Sequence, residues 1–206
     1  MTTITTRFSP SIPEREDAAM NAAILEQKET YREVNSVTGS VNSVMFGTAS
    51  FSELPVAELV QDFGLNISVC NRSVEEATLK DAFDLLHECV FALNPSKVFL
   101  NFGETDLMCP EFDLEAFLDD YARLIGLIRS QSRSRVFVIS VISERPEARK
   151  LNDGLRALCK RTGCRYVDVA DVFSHEMPRL RLFSELTHYM REGKISFSDA
   201  MNFCEA

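Results

Sequence analysis

The chain has 206 residues, 45% of them hydrophobic, which is enough for one well-buried core without requiring a second domain. Its 31 acidic against 22 basic side chains give a formal charge of -9, which discourages nonspecific binding to nucleic acid and to anionic membrane surfaces. No run approaches the ~18 consecutive apolar residues of a membrane helix, and no apolar leader marks the start, so a soluble, cytoplasmic protein is expected.

Residues 1–13 are rich in threonine and serine and hold Pro10 and Pro13; they are expected to be flexible, with 14–206 forming a single domain. Apolar spacing at Ala18, Ala22, Leu25 and Tyr31 predicts an amphipathic helix over 14–33. A short apolar strand over 41–46 ends at Gly47, a helix is predicted over 55–63, and a second strand over 66–70. The next helix, 78–93, carries Leu79, Phe83, Leu86 and Val90 on one face and stops at Asn94-Pro95 before a strand over 97–102. A longer helix over 112–130 leads to 136–142, an apolar run of the kind buried on both faces of a sheet. Pro146 opens a helix where its missing N–H costs little, Thr162-Gly163 end it, and 165–169 is the fifth strand. Residues 193–204, with Ile195, Phe197, Met201 and Phe203, are read as a closing helix. Such alternation predicts an α/β fold with a parallel sheet covered on both faces and a ligand crevice beyond the carboxyl ends of the strands.

Six cysteines, Cys70, Cys89, Cys109, Cys159, Cys164 and Cys204, are scattered without the framework of a small disulfide-bonded fold or the pairing of a zinc site, so reduced thiols and no metal are expected. Gly103-Glu104-Thr105-Asp106 lacks the glycine-rich run and lysine of a phosphate loop, so it reads as a turn, and no cofactor is expected. His87 and His175 read as surface histidines, and Asp168 and Asp171 as structural residues.

Four segments carry a resemblance: Val44-Met45-Phe46-Gly47-Thr48-Ala49; Asn71-Arg72-Ser73-Val74; the run from Lys97 through Gly103-Glu104-Thr105-Asp106-Leu107; and Glu185-Leu186-Thr187-His188 followed by Gly193. In this order they resemble the blocks of the SGNH, or GDSL-type, hydrolases, esterases whose first strand-loop turn reads Gly-Asp-Ser. The resemblance spans about 41–193 and implies a flavodoxin-like three-layer α/β/α sandwich with a five-stranded parallel sheet. It also implies one cleft, formed by Thr48, Ala49, Glu76 and Thr105, with Glu185 and His188 brought in by the last loop. Residue by residue, Ala49 stands at the nucleophilic serine and Thr48 at the preceding aspartate. Glu76 stands at the oxyanion glycine, Thr105 at the third-block asparagine and Glu185 at the orienting aspartate; His188 is unchanged.

Acyl transfer by serine needs a hydroxyl beside a base, a carboxylate to hold the base, and donors aimed at the oxyanion. Ala49 has no lone pair to attack with, and losing the nucleophile of such a triad costs on the order of a millionfold in turnover. A Glu76 carboxylate ~4 Å from an oxyanion would repel it by about 4 kcal/mol at an effective dielectric near 20. Thr105 is a shorter donor than asparagine, and one lost oxyanion donor is worth roughly a hundred- to thousandfold.

The leading expectation is therefore a degenerate SGNH-like protein that binds a small molecule or partner in the remnant cleft. The alternative is an active esterase or deacetylase on small acyl or carbohydrate esters, using Ser50 as nucleophile with His188 as base and Glu185 as orienter. A third reading gives Glu76, Glu185 and His188 acid and base roles, set against a Glu76–Arg72 salt bridge.

Overall fold

The computed structural model describes residues 12–191. The expected closing helix, with Gly193 and Cys204, lies outside the described residues, as does the expected flexible segment apart from residues 12 and 13, which begin a helix.

Five strands, β1 (Ser43–Gly47), β2 (Val69–Asn71), β3 (Lys97–Asn101), β4 (Arg135–Ile139) and β5 (Arg165–Val167), form one sheet in the order β2-β1-β3-β4-β5. Every neighbouring pair is parallel. This is the flavodoxin-like order, in which the chain reverses its direction of winding between β1 and β3 and leaves a crevice at their carboxyl ends.

Helices α1 (Ile12–Asn35), α2 (Ala49–Ser52), α3 (Val56–Asp62), α4 (Leu79–Cys89), α5 (Leu114–Gln131), α6 (Pro146–Thr162) and α7 (Pro178–Met190) cover the sheet. Side chains alternate across the strands and divide the interior into two cores. Val44, Phe46, Val98, Leu100, Val136 and Val138 point toward α1, α4, α5 and α6. Met45, Phe99, Phe137 and Ile139 point toward α2, α3 and α7. On that second face the Phe99 and Phe137 rings stack with centroids 4.7 Å apart.

Local chemistry sets the helix ends. Thr78 and Asp81 form a capping box on α4, Asp113 accepts from the backbone N–H groups of Glu115 and Ala116 at the start of α5, and Gly163 ends α6 with φ +69°. Gly47 has a different reason to be glycine: a Cβ there would lie 2.4 Å from the Asn101 carbonyl oxygen. The tight end of β1 beside β3 therefore excludes any side chain at the residue that launches the candidate site.

One element departs from the sequence reading. Residues 185–188, expected in a loop, belong to α7, which opens with Pro178 at its first turn. Leu182, Leu186 and Met190 recur at four-residue spacing and, with Phe183, are buried in the second core. That burial leaves Glu185 and His188 on the exposed side of the helix.

Candidate functional site

Beyond the carboxyl ends of β1, β4 and β5 lies a hollow of about 440 Å³ lined by Ala49, Ser50, Glu53, Ile142, Ser143, Glu144, Ala170 and Ser174. The backbone places its floor. Thr48 N–H donates to the Asn101 carbonyl at 3.0 Å, and the chain then turns directly into α2, so Ala49 and Ser50 face outward from its first turn.

Glu104, in the turn after β3, reaches beneath α2. Its Oε2 accepts from the Ser50 N–H at 3.1 Å. Burial raises the Glu104 pKa, against the lowering effect of the nearby Ser50 and of the Ile142 backbone, and the charge of Glu53 raises it further. Glu104 Oε1 and Thr48 Oγ1 are both buried without a hydrogen-bond partner. The sequence reading took Glu104 only as part of a turn. The signal for it was slender: an acidic residue directly after Gly103, whose φ of +129° and closeness to Val141 and Leu151 leave no room for a side chain at that turn.

The expected residues divide into two groups. Thr48, Ala49 and Ser50 are together, while Thr105 sits on the same end of the sheet and donates its hydroxyl to the Glu75 carbonyl at 3.3 Å. Glu76 is exposed after β2. Its expected salt bridge to Arg72 does not form: that guanidinium donates to Asn35 Oδ1 and to the Asn71 carbonyl, and it lies 5.0 Å from the Tyr31 ring centroid.

His188 and Glu185 are not brought to this cleft. Helix α7 starts near it, with Arg179 bonded to Glu53 at 2.5 Å, and runs to the opposite edge of the sheet, where the buried Lys97 ammonium donates to the Met190 carbonyl at 2.7 Å. Lys97 opens β3 and Asn101 closes it, so the two ends of the sheet are roughly 13 Å apart at ~3.3 Å per residue. His188 lines a second hollow at that far end. Neither the Ser50–His188–Glu185 triad nor the Glu76–Glu185–His188 acid-base set is assembled. The histidine on the cleft side is His175, whose Nε2 lies 3.5 Å from Asp171 Oδ2 and which follows Ser174 on the rim.

Asp106, two residues beyond Glu104, is buried and accepts from the Leu79 N–H at the start of α4. Burial is the main cause that raises its pKa to about 6, and Asp81 adds to it. Because the folded value lies above the ordinary 3.8, the folded state holds the proton more tightly. The contribution to stability is complete below about pH 4 and is lost as pH rises through 6. An Asp106→Asn variant keeps an acceptor for Leu79 but cannot titrate. Denaturant unfolding of both proteins from pH 4 to 7.5 should show the wild type losing about 2 kcal/mol relative to the variant.

No family model matches the chain, and no curated protein matches it. Solved structures do. A Streptococcus pneumonia protein provisionally described as a platelet activating factor is 17% identical, with a TM-score of 0.67 over 93% of this chain and 94% of its own. A GDSL-like lipase from Bacteroides thetaiotaomicron VPI-5482 is 16% identical, with a TM-score of 0.62 over 86% of this chain and 93% of its own. An acetyl xylan esterase from Geobacillus stearothermophilus is 14% identical, with a TM-score of 0.60 over 77% of this chain and 98% of its own. The likeness is one of fold.

Proposed function

On the SGNH-hydrolase fold, we propose that this chain is a catalytically degenerate protein without ordinary serine esterase activity, whose carboxyl-end hollow binds a small molecule or partner. The observation that carries the reading is the methyl group of Ala49 at the position of the nucleophile. Two features support it. The neighbouring Ser50 is held by its backbone N–H to Glu104, with no imidazole bonded to it among the described residues, and His188 stands at the other end of the sheet. A carbohydrate ester is the ligand class we favour, since Ser50, Ser143 and Ser174 offer hydroxyls around the hollow and one structural neighbour is an acetyl xylan esterase. Cys70, Cys89, Cys159 and Cys164 are free thiols, which supports a cytoplasmic location.

The test is direct. Purified protein incubated with a fluorophosphonate probe and with a short-chain acetyl ester should give no covalent adduct by intact-mass measurement and no turnover above buffer. An adduct on Ser50, or turnover abolished by Ser50→Ala, would overturn the reading.

A second reading, an acyl hydrolase that attacks with Ser50, draws on the His175–Asp171 pair beside the rim. It requires His175→Ala to abolish the same turnover.

A further inference from the structure

The far end of the sheet holds a hollow of about 450 Å³ whose chemistry runs against that of the whole chain. The protein carries a formal charge of -9, yet Lys97, Arg129, Arg135, Arg165, His188 and Arg191 line this space. Among the described residues that line it, none carries a carboxylate. Three of the basic residues, Lys97, Arg135 and Arg165, are the first residues of adjacent parallel strands: Lys97 and Arg135 pair in register, and Arg165 stands opposite Phe137, two residues further along β4 and on the same face of the sheet.

Two of these cations have a structural task. Lys97 donates to the Met190 carbonyl at the end of α7, and Arg129 donates to the Thr162 and Gly163 carbonyls at the end of α6, where a positive charge offsets the helix dipole. Arg191 is the C-cap residue of α7, its backbone N–H bonded to the Thr187 carbonyl, while its guanidinium lines the hollow; Arg165 opens β5 and caps no helix. The Arg165 guanidinium is held 5.3 Å from the Tyr189 ring centroid, and Tyr189 in turn packs on Phe137 at 5.7 Å and edge-on to His188 at 5.0 Å. That aromatic wedge gives Arg165 a fixed position at the wall of the hollow. Guanidinium groups present paired N–H donors that match phosphate oxygens, and several converging cations favour a ligand with more than one negative charge.

We propose that this amino-end hollow binds a phosphate-bearing small molecule, with Arg165 and Arg191 as its principal ligands and His188 at its edge. The site is independent of the carboxyl-end hollow. It gives the exposed His188 a role unrelated to ester hydrolysis.

Isothermal titration of the full chain with inorganic pyrophosphate, at constant ionic strength and with acetate as the monoanion control, tests the assignment. Saturable one-to-one binding is expected for pyrophosphate and none for acetate. Arg165→Ala and Arg191→Ala should each weaken binding about tenfold or more, the usual scale for a lost charge-assisted hydrogen bond. Arg149→Ala removes the same charge from an exposed position on α6 outside the hollow and should leave binding unchanged. Thermal unfolding of each variant in the absence of ligand separates lost binding from lost fold. Three results would overturn the proposal: no saturable pyrophosphate binding, equal weakening by Arg149→Ala, or wild-type affinity in both hollow variants with their folds intact. A short RNA that binds through these arginines while pyrophosphate does not would also overturn it, by assigning the surface to a polymer.

Discussion

An Ala49→Ser variant is expected to hydrolyse short-chain acetyl esters at a rate indistinguishable from wild type. Restoring the hydroxyl restores one participant of three. The serine would stand at the first turn of α2, with Glu104 already engaged by Ser50 beneath it and His188 beyond the far edge of the sheet. Without a base to take its proton, a hydroxyl with a pKa far above neutrality attacks slowly, and a triad lacking a member falls short of the intact set by roughly ten-thousand- to millionfold. The shortfall here does not arise from Glu76. That carboxylate is exposed after β2, so the repulsion expected from the sequence is relieved by solvent. Steady-state kinetics on p-nitrophenyl acetate, with the double variant Ala49→Ser/His175→Ala as control, decides the matter. A rise of a hundredfold or more in Ala49→Ser would contradict the expectation, and its loss in the double variant would identify His175 as the missing base.

The sequence carried the sheet well because its signals were local and mutually consistent. The apolar runs at 41–46, 97–102 and 136–142 became β1, β3 and β4, and Pro146 and Gly163 bracketed α6 at the positions their backbone preferences dictate. The candidate site was half legible. Thr48, Ala49 and Ser50 follow a buried strand that ends at a glycine, a pattern visible in the residues alone. The misplacement of His188 and Glu185 has a definite origin: two residues three apart also suit an α-helix, and the four-residue recurrence of Leu182, Leu186 and Met190 was the stronger signal. Glu104 lay beyond reach for another reason. Its partnership with Ser50 spans 54 residues and depends on the register of β1 against β3, which no local pattern encodes. The basic hollow was hidden in the same way, since Lys97 and Arg135 become register partners, with Arg165 opposite Phe137 on the same face, only when three strands align.

Replacing Phe99 with alanine should cost about 3–5 kcal/mol, the usual range for deleting a buried aromatic side chain. Phe99 is fully buried at the middle of the central strand, stacked on Phe137, in the core that α7 closes with Leu182, Phe183, Leu186 and Met190. Against a typical total of ~5–15 kcal/mol, that loss is a large share of the stability of a chain this size, and a midpoint of thermal unfolding lowered by about 6–20 °C is expected. Phe99→Leu, which keeps more of the volume, should cost clearly less. The consequence reaches past stability. Phe137 rests on Phe99 on one side and carries Tyr189 on the other, and Tyr189 holds Arg165 at the wall of the amino-end hollow. Loosening the stack should therefore weaken pyrophosphate binding under conditions in which the variant is still fully folded. Denaturant unfolding and titration on the same sample measure both effects. A loss below about 1 kcal/mol would mean that the second core collapses around the gap instead of holding α7 in place.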